Sequence, residues 1–130
     1  MRRTGGEEAD MGLQISERKS GNVTILDLRG RIVYGADSES FSFELRELAA
    51  GSPRNVLINL AGVAQVDSSG ISVLVQSFVT LSRAGGSLKI LNPTGYVLEV
   101  LEVTGLIGCL PAYTDEAEAL ASFHGSAAHA

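Results

Sequence analysis

The residues with most to offer chemically stand together in the run Val63-Ala64-Gln65-Val66-Asp67-Ser68-Ser69-Gly70-Ile71. Two adjacent hydroxyls follow a carboxylate where hydropathy turns from strand to helix, the place at which open α/β sheets gather functional groups. Asp and Ser also cap helices by accepting from orphan N–H groups, and capping alone accounts for these residue types here. The catalytic chemistry open to such a hydroxyl is narrow. Acyl transfer needs a Gly-x-Ser-x-Gly elbow and a histidine base, yet no Gly stands two places before Ser68 or Ser69, and His124 and His129 sit at the end of the chain. A phosphate-cradling loop needs a Gly-Lys-Ser/Thr ending, which is missing, and the His, Cys and acid spacings form no metal-ligand set. The single cysteine, Cys109 in Leu106-Ile107-Gly108-Cys109-Leu110, reads as a small buried hydrophobe. The expectation is a chain that is not an enzyme, with no catalytic residue, cofactor or metal of its own.

Charge placement gives the serines a different use. Between Arg54 and Arg83 the one formally charged residue is Asp67, so the helix start and its outer face, with Ser72, Gln76 and Thr80, form a neutral surface suited to protein contact. Phosphorylating one serine there adds about −1.5 to −2 charges and moves the local sum from −1 to roughly −3. The helix N-terminus, with its free N–H groups and positive dipole end, is expected to hold that phosphate. Across the chain the net charge is −5, and all ten Lys and Arg lie at or before Lys89. The excess is carried by Glu99, Glu102, Asp115, Glu116 and Glu118, beyond the last basic residue. With no basic stripe, 5% aromatic residues and no Trp, the sequence argues against direct nucleic-acid binding.

These groups must be positioned by a fold, and 130 residues with 45% hydrophobic content suit one globular domain. Residues 1–11, Gly-rich and charged without periodicity, read as a disordered leader. Leu13 and Ile15 alternate with polar residues, Lys19-Ser20-Gly21-Asn22 makes a turn, and Val23 to Leu28 completes a hairpin. Asp37 is the expected cap of a helix with Phe41, Leu45, Leu48 and Ala49 inward, stopped by Gly51 and Pro53. Val56-Leu57-Ile58-Asn59-Leu60 is a nearly continuous apolar run, as in a strand covered on both faces. Ile71, Leu74, Val75, Phe78 and Val79 line the inner face of the helix begun at Ser68 or Ser69, which Gly85-Gly86 ends. Leu88 to Leu91 then forms a strand parallel to the central one, by a right-handed crossover. Asn92 caps and Pro93 opens the next helix, with Val97, Leu98 and Leu101 buried and Gly105 closing it. A strand around Leu110 to Tyr113 and a helix from Thr114-Asp115, with Leu120 and Phe123 inward, complete an α/β fold: a mixed sheet of about five strands with about four helices. No apolar stretch approaches the ~18 residues of a membrane span and the start lacks a signal-peptide core, so the expectation is no membrane insertion and a cytoplasmic location.

The runs Asn55-Val56-Leu57-Ile58-Asn59-Leu60, Asp67-Ser68-Ser69-Gly70-Ile71, Gly85-Gly86 before Leu88-Lys89-Ile90, and Thr104-Gly105-Leu106 together resemble a STAS domain, the module of sulfate transporters and anti-sigma factor antagonists. The resemblance runs from about Leu13 to Phe123, placing the domain at 12–124 and a loose tail at 125–130. A free-standing chain of this kind is most similar to the bacterial antagonists. The resemblance implies that the unmodified protein binds an anti-sigma factor that is also a serine kinase, freeing sigma factor for transcription. The kinase would use its own bound ATP to phosphorylate Ser68, the first serine of the motif, whereupon the complex parts, and a serine phosphatase would reset it. Asp67 would orient the loop, and Ser69 and Gly70 would start the helix, with Gly70 admitting a partner's backbone. With Ser68 and Ser72 these are the expected partner-binding residues. The chain departs from the family pattern in Gly30-Arg31-Ile32-Val33-Tyr34, which lacks the usual acid, and at Asn59, a position often held by Asp. The resemblance also allows a subunit of a stress-signalling assembly or lipid-transport complex, or a small-ligand module without a phospho-switch.

Overall fold

Alternating side chains on either side of Gly21-Asn22 fold the start of the domain into a hairpin, β1 (Leu13–Ser20) antiparallel to β2 (Val23–Ile32), with Ser20 opposite Val23. Gly21, at φ 59°, takes the left-handed conformation that so short a turn demands. The computed structural model describes residues 12–51 and 55–129, with side chains through Phe123. The leader expected at 1–11 lies outside the described residues. After β2 come α1 (Ala36–Ala50), β3 (Asn55–Val66), α2 (Ser68–Arg83), β4 (Ser87–Leu91), α3 (Gly95–Val103), a 3-10 turn (Leu106–Gly108), β5 (Ala112–Tyr113) and α4 (Glu116–His129). The strands lie side by side in the order β1-β2-β3-β4-β5, parallel beyond the hairpin. Among the described residues this is the mixed sheet of five strands and four helices that the hydropathy implied.

Alternation along the strands divides the interior in two. Leu26, Leu28, Ile32, Ile58 and Leu60 meet Phe41 and Leu45 of α1, Leu74 and Leu81 of α2, and Val97 and Leu101 of α3 in the main core. Val23, Ile25, Leu57 and Leu91 form a smaller cluster under Ala119 and Phe123 of α4. Polar bonds tie α4 to its face. Arg18 bridges Asp27 (2.6 Å) and Glu116 (2.9 Å), and Lys89 Nζ donates to Ser122 Oγ (2.8 Å) while lying 4.6 Å from the Phe123 ring centroid. Asn59 donates to the Asp27 carboxylate (2.8 Å) and accepts from the Ala61 N–H (3.1 Å). An aspartate in its place would set two carboxylates together.

Several elements differ from expectation for identifiable reasons. β3 does not end at Leu60. Asp27 faces Asn59 but Arg29 faces Gly62, and Gly30 faces Val63 but Arg31 faces Gln65, so β3 carries an extra residue at two bulges and buries Leu60, Val63 and Val66 at a spacing of three. Asp37 does not cap α1; the helix starts at Ala36 behind Gly35, without a side-chain cap bond. On α2, Leu81 is buried and Val79 is 40% exposed, because the inner stripe runs through Gly70, Leu74 and Leu81. Asn92, past the end of β4, has a left-handed backbone (φ 55°) that a capping residue does not adopt, while its N–H donates to the Tyr113 carbonyl (2.7 Å), so α3 begins at Gly95 with the extended Thr94 as its cap position. Cys109 is exposed: the left-handed Gly105 (φ 80°) turns the chain outward and Leu110 takes the buried position. The α4 backbone continues through Gly125 to His129, the stretch expected as a loose tail. Among the described residues, no helix is long and apolar enough to cross a membrane.

Candidate functional site

At the carboxyl end of β3, Val66 pairs with Ile32, and the next residue, Asp67, stays extended at φ −111° while its N–H donates to the Ile32 carbonyl (3.3 Å). Its own carbonyl accepts from Ile71 N–H (3.0 Å), the first bond of α2. This backbone geometry aims the carboxylate at the orphan amides of the helix start. Oδ1 accepts from Ser69 N (2.9 Å), Gly70 N (3.3 Å) and the Ser69 hydroxyl (2.6 Å), while Oδ2 accepts from Tyr34 N in the β2–α1 connection (3.0 Å). The Ser69 hydroxyl, then the Tyr34 amide, are the main causes that lower the Asp67 pKa to about 2, so the group is ionised at neutral pH.

That cap makes the adjacent serines unequal. Ser69 is half-buried and its hydroxyl is committed to Asp67. Ser68, the first residue of α2, is exposed, and among the described residues no hydrogen bond engages its hydroxyl. Ser72, one turn on, is exposed on the same side of the helix. Gly70 serves a different purpose from the one expected: it is buried, and a Cβ there would stand 2.7 Å from the Ile32 carbonyl oxygen and 2.6 Å from Val66 Cγ2. The close approach it permits is to its own strands. The expectation that helix amides would hold a phosphate also needs correction, since Asp67 already occupies the Ser69 and Gly70 N–H groups.

Sequence reasoning missed Tyr34 as a site residue. It is 83% exposed, and its amide is bonded to the Asp67 carboxylate, so an exposed aromatic ring stands on the loop that Asp67 anchors. The available signal was its place beside Val33, where the pattern normally carries an acid. Between α1 and α2 a groove of about 100 Å³, lined by Ser42, Arg46, Val73 and Gln76 among others, falls short of the roughly 300–1,000 Å³ typical of ligand pockets. Among the described residues, no group of three or more His, Cys, Asp or Glu could hold a metal ion.

Residues 14–119 match the family model of the STAS domain. The chain is 24% identical over 111 residues to the anti-sigma F factor antagonist of Paenibacillus polymyxa, covering 85% of this chain and 94% of that one. An anti-sigma factor antagonist from Mycobacterium paratuberculosis superposes with a TM-score of 0.76 at 18% identity, covering 86% and 94% of the two chains. The Bacillus cell fate determinant SpoIIAA, solved in its phosphorylated form, superposes with a TM-score of 0.67 at 19% identity over 84% of this chain and 98% of its own. These structures share the fold.

Proposed function

Since this chain belongs to the STAS domain family, we propose that it is an anti-sigma factor antagonist, binding an anti-sigma factor serine kinase until Ser68 is phosphorylated. The observation that carries the reading is the inequality of the two serines: Ser68 offers an exposed, unengaged hydroxyl, while Asp67 holds that of Ser69. The names of the relatives support the antagonist role, and SpoIIAA supplies a precedent for a phosphorylated form on this fold.

In this reading the kinase holds ATP and supplies the base. The γ-phosphoryl group passes to Ser68 Oγ, the hydroxyl proton goes to the kinase's base, and ADP leaves. Binding rests on the neutral outer surface of α2 around Ser68 and Ser72, with Tyr34 as the aromatic contact beside it. Phosphorylation adds about −1.5 to −2 charges next to an ionised Asp67. Because that carboxylate occupies the neighbouring amides, the new charge faces the partner, and the complex dissociates. A serine phosphatase restores the hydroxyl by hydrolysing the ester. The chain is substrate and binder throughout, acting inside the cell without a cofactor of its own.

Incubation with a candidate anti-sigma kinase and ATP, followed by site mapping by mass spectrometry, tests this. Phosphate is expected on Ser68 alone, and Ser68→Asp is expected to weaken kinase binding. Phosphate on another residue in Ser68→Ala, or unchanged binding by Ser68→Asp, overturns the switch.

A further inference from the structure

α3 is apolar on two sides. Val97 and Leu101 are buried in the main core, with Leu98 half-buried beside them. Val100 is half-buried and also packs against that core, whereas Tyr96, 54% exposed, and Val103, 80% exposed, stand two turns apart on one outward flank of the helix. Beyond Gly105, Ile107 adds a third exposed apolar side chain, at 36%. A helix with apolar side chains around most of its circumference is ordinarily covered on more than one side. A contiguous apolar surface rimmed by polar groups marks a site of association.

The charges that α3 itself carries have one sign. Glu99 and Glu102 are the only charged residues of α3, both are exposed, and no Lys or Arg occurs in the sequence after Lys89. A second copy packing through this surface would bring glutamate against glutamate, whereas Lys or Arg around a partner's apolar side chains would neutralise both. We propose that the outward face of α3, together with Ile107, docks an amphipathic segment of another protein whose apolar side chains are framed by basic residues. Tyr96 and Val103 supply the buried contact, and the two glutamates reject acidic segments of equal hydrophobicity. This surface works independently of the state of Ser68.

The test uses the full chain and two labelled synthetic helical peptides with one shared leucine stripe, flanked by lysines in the first and by glutamates in the second. Fluorescence anisotropy is expected to show the lysine peptide binding at least about tenfold more tightly, a preference that the Glu99→Lys, Glu102→Lys double variant reverses. Val103→Asp, at an exposed position, is expected to weaken the lysine peptide about tenfold. Phe43→Ser, at an exposed position on α1, is expected to leave it unchanged. Equal affinity for the two peptides, failure of the lysine peptide to bind, or an unreversed preference in the double variant overturns the proposal. So does a concentration-dependent dimer in sedimentation that Val103→Asp breaks, which would make the occupant a second copy.

Discussion

α2 and α3 leave the carboxyl ends of neighbouring parallel strands and contribute to the same core, yet they begin and face outward in opposite ways. α2 starts on a carboxylate that accepts from two amides and a hydroxyl, and its outer side is neutral and hydroxyl-bearing. α3 has Thr94 at its cap position with no side-chain cap bond, and its outer side carries exposed Tyr96 and Val103 beside two glutamates. The cap is what separates them. By engaging Ser69 and the first amides, Asp67 leaves Ser68 as the open hydroxyl of the pair, the feature on which the proposed phospho-switch rests. α3 has nothing comparable at its start and offers area and charge, which suit reversible docking. One topological unit, strand followed by helix, thus supplies two kinds of surface through a single change of N-terminal chemistry.

The largest expected effects lie at the two glycines. Gly70→Ala drives a methyl group into the Ile32 carbonyl and should cost about 1–3 kcal/mol in urea unfolding. Gly95→Ala meets nothing within 4 Å and suffers only from its φ of 55°, so a cost of about 1–2 kcal/mol is expected there. A loss at Gly70 below about 1 kcal/mol would mean that α2 is not packed against β2 as tightly as the geometry requires.

A smaller contrast separates the caps. Asp67→Ala should lower the melting midpoint by several degrees and speed hydrogen exchange at the Tyr34 amide, whereas Thr94→Ala should leave the midpoint nearly unchanged. The Asp67 carboxylate is more acidic folded than unfolded, so its contribution is present above the ordinary value of 3.8 and is lost as pH falls towards 2. Urea midpoints of wild type and Asp67→Asn should therefore converge across that window; a constant gap would show that the ionised form is not what the cap requires. The smallest effects are at the outer surfaces. Val103→Ser and Val79→Ser, at 80% and 40% exposure, should each change stability by less than about 0.5 kcal/mol, with Val103 the more silent. A large loss at Val103 would mean that its side chain already packs within this chain.

Much of this was legible because the relevant signals are local. The hairpin turn, the inward Phe41 and Leu45, the stops at Gly51 and Gly105, and the start of α2 behind Asp67 each rest on residues a few places apart. The second half of β3 was illegible because two bulges replace alternation with a spacing of three, and a bulge is defined only by the partner strand. The start of α3 was misplaced for a related reason: Asn92 is an able cap by type, but where the chain leaves β4, tied to Tyr113 21 places away, its backbone is left-handed at φ 55° and not extended as a cap requires.

The sequence by itself determined the order of elements, the apolar faces and the Asp-Ser-Ser-Gly turn, since helix and strand periodicity and capping depend on neighbours along the chain. Only the tertiary structure decided that Ser68 is open while Ser69 is held, that Gly70 makes room for Ile32, and that Tyr34 stands beside Asp67. Tyr34 and Asp67 are 33 residues apart, and they meet because β2 and β3 pair in parallel and end together. That pairing is a property of the sheet, which no local pattern specifies.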